Sequence, residues 1–261
     1  MNTKPDLPGI IVIGAQKCGT SSLNWSLKVH SQIYGAKDPE TGIPVKEVDF
    51  FYDNEKLKKG IDWYKSHFVG AKGITCLDSS PNYLPLTHYY GDMKELMPDA
   101  KIIISLRNPV YRAFSQYNHY THELPLSETW DWNYKKSFLE NIEAELAYLS
   151  ENVDNITNFS GIVSRGIYIK QINQLLLHFD RANIYFTIMD FWSTTYESEL
   201  INIQKFLQKK IEVLPADIKH KRSYTTEPLS VKAKSMLKDF YHPYNQQLFD
   251  LLGFEIPEWN C

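Results

Sequence analysis

Residues 11 to 22 read IVIGAQKCGTSS, and the order of residue types in this stretch decides the fold. Branched apolar residues run up to Gly14, as expected of a strand buried on both faces of a parallel sheet. Small and polar residues then surround one lysine, Lys17, ahead of a helix start at Thr20-Ser21-Ser22. Strand, Gly-bearing turn and helix N-terminus together make the layout of an anion site. The N–H groups of a first helical turn lack intrahelical partners and lie at the positive end of the helix dipole. The nucleotide loop GxxxxGK[ST] puts its lysine after the last glycine, beside a hydroxyl for Mg²⁺. Here Lys17 comes before Gly19, so it lies in the turn itself, with the N–H groups from Gly19 to Ser22 wrapping the anion. A structural turn with a solvated lysine is the competing reading.

Composition limits what such a site can serve. A chain of 261 residues, 43% hydrophobic and 23% charged, can bury one large core, and it reads as one α/β domain over residues 1–261. The net charge of −3 gives no global basic field, which argues against nucleic acid or an anionic membrane surface as partner. Cys18, Cys76 and Cys261 are odd in number and far apart, without a CxxC or a nearby His, the usage of a reduced, cytoplasmic chain with no metal site. The longest apolar runs are too short to span a bilayer, and no leader or anchor is read. Asn155-Ile-Thr and Asn158-Phe-Ser match the glycosylation sequon and, without a secretory route, count as chance matches.

Strand-like runs at 9–14, 74–78, 101–106 and 183–189 alternate with amphipathic stretches at about 20–30, 87–97, 109–122, 134–150, 165–179, 195–209 and 229–252. This alternation predicts a central parallel sheet flanked by helices. Tyr196, Leu200, Ile203 and Leu207 fall at helical spacing and read as a core stripe. The segments 31–45, 123–133 and 211–228 read as irregular, and long loops on a rigid sheet are where sites are built.

A second motif, KIIISLRNPVYRAFSQY at 101–117, is a strand that delivers Arg107. Asn108 follows as N-cap, Pro109 as first helical residue, and Ser115 about one and a half turns on. In open α/β sheets the C-terminal strand edge is where ligands bind, so a second cationic group sits where a second anion would be. A surface arginine in a strand-to-helix turn is the bland alternative.

Taken together, GAQKCGTSSL resembles the 5'-phosphosulfate loop, and SLRNPVYRAFSQY the 3'-phosphate motif, of sulfotransferases that use 3'-phosphoadenosine 5'-phosphosulfate (PAPS). The likeness extends to the sulfotransferase domains that modify heparan sulfate, through KEVDFF at 46–51, GIDWY at 60–64, SPNYL at 80–84, and HKRSY at 220–224 before a last helix. It implies a single P-loop-like α/β domain. It also implies a metal-free transfer of a sulfuryl group from PAPS to an acceptor, releasing PAP. Lys17, Cys18, Gly19, Thr20, Ser21 and Ser22 would hold the 5'-phosphosulfate, with Lys17 neutralising the leaving phosphate. Arg107 and Ser115 would hold the 3'-phosphate, and Lys221 and Arg222 would close over the nucleotide. His220-Lys221-Arg222 replaces the Lys-Gly-Arg of the relatives, which makes Arg222 the better match of the two.

Glu47 matches the family's catalytic glutamate, and burial among Val48, Phe50 and Phe51 would raise its pKa toward neutrality. A surface carboxylate paired to Lys46 is the other reading of Glu47. Asp49, on the same face if 46–51 is a strand, would orient the acceptor or partner Glu47. His119 and His122 are competing bases, and Tyr83 joins them and Asp49 on the acceptor side. Two departures narrow the acceptor. The lysine that precedes SPNYL in the heparan relatives is absent, because this chain has Asp78-Ser79-Ser80 there. Residues 116–134 carry Glu123, Glu128 and Asp131, many aromatics and no Lys or Arg, a lip that would repel a sulfated polysaccharide and admit a small neutral or cationic acceptor. The chain therefore looks like a bacterial, cyanobacterial-type tailoring sulfotransferase, such as those of saxitoxin biosynthesis, acting as monomer or homodimer. The rival classes are a glycan O-sulfotransferase, a P-loop small-molecule kinase and a non-catalytic nucleotide-binding module.

Overall fold

The computed structural model describes residues 7–122, 136–156, 159–216 and 228–259. In chain order the strands are β1 (Ile10–Gly14), β2 (Ile33–Gly35), β3 (Thr75–Asp78), β4 (Lys101–Leu106) and β5 (Ile184–Ile188). The helices are α1 (Thr20–Leu27), α2 (Asn54–Lys58), α3 (Gly60–Ser66), α4 (Tyr90–Leu96), α5 (Pro109–His122), α6 (Phe138–Asn152), α7 (Tyr168–Leu176), α8 (Trp192–Phe206) and α9 (Val231–Leu252). The strands form one parallel sheet in the order β2-β3-β1-β4-β5. The chain turns from one side of β1 to the other between β3 and β4, which makes the C-terminal ends of β1 and β4 the switch point where open α/β sheets place their ligands.

Two compact units divide the chain, Met1–Leu106 with Gln174–Lys221, and Arg107–Asn173 with Arg222–Cys261. The first holds the whole sheet. Its core packs Ile10, Val12 and Ile103 against Leu23 and Leu27 of α1 and against Trp192, Tyr196, Leu200 and Ile203 of α8. The stripe expected from helical spacing is thus the buried face of α8. The second unit gathers Val110 and Ala113 of α5, Ile142 and Leu149 of α6, the segment around Ile162 and Val163, and Leu237 and Tyr241 of α9. Inside it the Arg112 guanidinium donates to Gln116 and to the Ile162 carbonyl, while the Glu145 carboxylate accepts from the N–H groups of Val163 and Ser164 at 2.7 and 2.8 Å.

Four strands stand within a residue or so of their expected positions. The fifth, β2, falls in the segment 31–45 expected to be irregular. At three residues it is too short to show a period, and it is a strand because it pairs with β3, Ile33 against Thr75 through Gly35 against Leu77. The short helices α2 and α3 also escape periodicity, although Asp53 caps α2 by accepting from the N–H groups of Glu55 and Lys56. α6 starts at Phe138 rather than near 134, because Ser137 and Glu140 form a reciprocal capping box there.

Candidate active site

The turn after β1 is built by close main-chain approach. A Cβ at Gly14 would lie 2.6 Å from the Leu84 Cβ. Gly19 has φ +78°, and a Cβ there would lie 2.4 Å from the Trp192 ring. Both contacts are far inside van der Waals distance, and the left-handed φ at Gly19 is one that side chains resist. Trp192, 2% exposed, is fixed in turn by its Nε1–H donating to Thr187 of β5 at 2.8 Å. The turn is also tied to β4: the Ala15 N–H donates to the Ser105 carbonyl at 2.7 Å, and the Ser105 hydroxyl donates to the Cys18 carbonyl. Lys17 itself is half-buried with φ 69°, a left-handed conformation that costs a non-glycine residue about 1 kcal/mol or more.

α1 starts at Thr20 with no side-chain cap on its first turn. A cationic lysine, an uncapped helix start and the hydroxyls of Thr20, Ser21 and Ser22 are the donors that a phosphosulfate group needs, so these residues fit the 5' end of PAPS. Cys18 is buried; its N–H donates to the Ala15 carbonyl and its thiol to the Gln16 carbonyl, both within the turn.

On the same unit, residues 46–51 are not a strand, and the same-face argument for Glu47 and Asp49 does not hold. Asp49 has φ 55°, which breaks the extended backbone. Val48, Phe50 and Phe51 are buried at 1%, 4% and 1% exposure, but the Glu47 side chain is 32% exposed and ion-paired to Lys46. The desolvation expected at Glu47 falls instead on Asp49. Burial, with the nearby charges of Glu47 and Asp78, pushes the Asp49 carboxyl up to about 6, against Lys56 and an Asn82 hydrogen bond that pull it down. Asn82 Nδ2 donates to Asp49 at 3.5 Å, and Asn82 Oδ1 accepts from Gln16 of the Lys17 turn at 3.5 Å. The two segments are thus linked through one amide side chain.

Beneath them lies a group that the sequence reading registered only as a missing lysine. Asp78, the last residue of β3, is fully buried. It accepts from Tyr64 at 2.7 Å, Tyr83 at 3.0 Å and Ser80 at 2.6 Å. Burial raises its pKa, and these hydroxyls oppose the rise. Tyr83 is fully buried too, with its hydroxyl committed to this network. The signal available in LDSSPNYL was an acid at the end of an apolar strand, followed at once by two hydroxyls.

In the second unit Asn108 caps α5 as expected, its Oδ1 accepting from the Val110 N–H at 3.0 Å, and Pro109 is the first helical residue. The Arg107 carbonyl accepts from the Tyr168 hydroxyl at 2.9 Å, which fixes the backbone that carries the guanidinium. Arg107 and Ser115 are both half-buried, His119 is half-buried and His122 exposed near the end of α5. A guanidinium and a serine hydroxyl suit a phosphate, and so fit the 3' end of PAPS. Lys221, Arg222 and the acidic residues Glu123, Glu128 and Asp131 lie outside the described residues. Among the described residues no helix is long and apolar enough to cross a membrane.

Comparison with known proteins agrees with this arrangement. A family model described as "Sulfotransferase domain" matches residues 7–239. The bifunctional heparan sulfate N-deacetylase/N-sulfotransferase 1 of Caenorhabditis elegans is 29% identical over 208 residues, 78% of this chain and 22% of that protein. The mouse heparan sulfate glucosamine 3-O-sulfotransferase 3B1 is 21% identical, covering 95% of this chain and 64% of its own length. The chain spans between 22% and 31% of the bifunctional enzymes such as those of C. elegans and Xenopus laevis. The crystal structure of a sulfotransferase from Alicyclobacillus acidocaldarius superposes with a TM-score of 0.75 at 26% identity, covering 98% of this chain and 99% of that one. A turn that presents a lysine and an uncapped helix start after β1, and a family match running through nearly every described element, lead to one conclusion: the chain belongs to the PAPS-dependent sulfotransferase family.

Proposed function

We propose that the chain works as one sulfotransferase domain that moves a sulfuryl group from PAPS to a hydroxyl, amine or guanidine of a small neutral or cationic acceptor, without a metal. PAPS supplies the sulfuryl group and a phosphate leaving group. Lys17 and the first turn of α1 neutralise the charge that grows on that phosphate, while Arg107 and Ser115, with Arg222 and Lys221, hold the 3'-phosphate that distinguishes PAPS from ATP. Glu47 takes the acceptor's proton, and Asp49 holds the acceptor beside it. His119 and His122 stand as alternative contacts to the acceptor.

The observation that carries this reading is the link from Asp49 through Asn82 to Gln16, which joins a carboxylate segment to the Lys17 turn within one unit. Glu47, Asp49 and Asp78 give that segment an acidic character, which favours a cation or a neutral molecule over a polyanion. The match to a bacterial sulfotransferase over 98% of this chain supports a bacterial enzyme, while the tailoring role and the cytoplasm rest on the sequence reading alone. The relatives named for heparan sulfate favour a second reading, a glycan acceptor.

Thermal shift with PAP, ATP and ATP plus Mg²⁺ tests the nucleotide. PAP alone should stabilise the fold, by about 2.7 kcal/mol at one hundred times its dissociation constant. Better binding of ATP with Mg²⁺ would point to a kinase. A PAPS-dependent screen of hydroxylated and guanidinium small molecules against heparan oligosaccharides, read by the mass of one added sulfuryl group, tests the acceptor.

A further inference from the structure

We infer that Asp78 is a positioning residue: through two hydroxyls it holds the backbone of residues 49 and 50, and so fixes where Glu47 and Asp49 stand beside the Lys17 turn. The inference rests on the reading of Glu47 as the group that accepts the proton.

Two consecutive N–H groups lead to this one carboxylate, and the Val48 N–H beside them favours its charged form. Asp49 N–H donates to the Ser80 hydroxyl oxygen at 3.0 Å, and the Ser80 hydroxyl donates in turn to Asp78. Phe50 N–H donates to the Tyr83 hydroxyl oxygen at 2.8 Å, and Tyr83 likewise donates onward to Asp78. The directions are mutually consistent, because each hydroxyl accepts from the backbone and donates to the acid. Residues 48–50 pair with no strand among the described residues, so these bonds replace a sheet ladder. They also hold Asp49 at φ 55°, a conformation that an unsupported aspartate leaves readily. On the other side Lys56 Nζ donates to the Val48 carbonyl at 2.8 Å, and the Tyr64 ring stacks on Phe50 with centroids 4.7 Å apart. Tyr64 is the useful contrast: its hydroxyl donates to Asp78 at 2.7 Å but receives no N–H from residues 48–50.

The test compares the full chain with Ser80→Ala, Tyr83→Phe and Tyr64→Phe. Each loses one hydroxyl from the same buried network, so their melting temperatures should fall by similar amounts. Three further readings separate positioning from packing: amide hydrogen exchange at residues 48–50, PAP affinity, and the rate at which PAP is released from PAPS with water as the acceptor probe. In that probe reaction a water oxygen bonds to sulfur, the sulfur–oxygen bond to the leaving phosphate breaks, and the water's proton goes to Glu47. Ser80→Ala and Tyr83→Phe should speed exchange at Asp49 and Phe50 and lower kcat by roughly 10- to 100-fold, with the KM for PAPS and the PAP affinity within about threefold of the starting protein. Tyr64→Phe should keep kcat within about threefold, and Ser80→Thr, which restores the hydroxyl, should recover the exchange rate and kcat of the starting protein. If kcat follows melting temperature equally in all three hydroxyl deletions, Asp78 only packs the core and the inference fails. If the unaltered chain binds no PAP and releases none from PAPS, the sulfotransferase reading fails instead, whatever the exchange data show.

Discussion

The turn around Lys17 and the segment around Asp49 face the same structural problem and solve it differently. Each carries a chemically charged residue in a left-handed backbone conformation, φ 69° at Lys17 and φ 55° at Asp49, and neither segment lies in a strand or helix. The Lys17 turn is held by local main-chain geometry, by glycines at tight approaches and by bonds to Ser105 of β4. The Asp49 segment is held from below by side chains that converge on one buried acid. The first device is rigid at the cost of tolerating almost no substitution at its glycines. The second buries Asp49 beside the negative charges of Glu47 and Asp78, and so lifts its carboxyl to about 6.

The largest effect expected separates the chemistry of one segment from the binding of the other. Glu47→Gln should lower turnover by about 10²- to 10⁴-fold while leaving PAP affinity unchanged. Retained turnover with a hydroxyl acceptor would move the base to His119 or His122. Arg107→Ala is the converse change: PAP binding should weaken by about 1.5–3 kcal/mol, while an analogue without the 3'-phosphate should bind nearly as before. Isothermal titration with both ligands reads the difference, and equal losses would remove the 3'-phosphate role.

A smaller effect reverses the usual sign of a site mutation. The Asp49 carboxyl titrates near 6 in the folded chain and near 3.8 in the unfolded one, so the folded state binds more protons between those values. Stability therefore falls as pH rises from about 4 to 6 and stays reduced above that. Asp49→Asn, a residue that tolerates the left-handed conformation, should stabilise the fold by about 1–2 kcal/mol at pH 8 and by little at pH 4, while acceptor affinity falls. Urea unfolding at the two pH values checks it, and a uniform loss of stability would contradict the burial account. The smallest effect belongs to Lys46→Met. Its ion pair with Glu47 is partly exposed, and removing it should change stability by less than about 1 kcal/mol.

The same contrast explains what the sequence made legible. The Lys17 turn could be read because its determinants are adjacent in the chain: an apolar run, two glycines, a lysine and three hydroxyls within twelve residues. Asn108 and Pro109 were legible for the same reason, since a helix cap is a local bond. The support of Asp49 was not, because Ser80 and Tyr83, although close to Asp78 in sequence, lie about thirty residues from residues 49 and 50, and only the fold brings the two segments and Tyr64 of α3 together. The reading of KEVDFF placed Glu47 and Asp49 on one face on condition that 46–51 was a strand, and gave the burial to Glu47 instead of Asp49. Alternation of polar and apolar residues cannot reveal a left-handed residue that is paid for elsewhere. The three-residue β2 stayed hidden in a loop for a related reason, as its identity comes from its pairing partner.

The ring of Trp192 beneath Gly19 has a consequence for how such a chain can diversify. With the ring 2.4 Å from where a Cβ would stand, positions 19 and 192 amount to a single evolutionary choice. A lineage that acquired a side chain at 19 would first have to shrink the aromatic at 192, and would then lose the hydrogen bond that Thr187 accepts on β5. Drift at position 19 is blocked while the tryptophan stands, so a side chain at 19 should be found only where position 192 is no longer tryptophan.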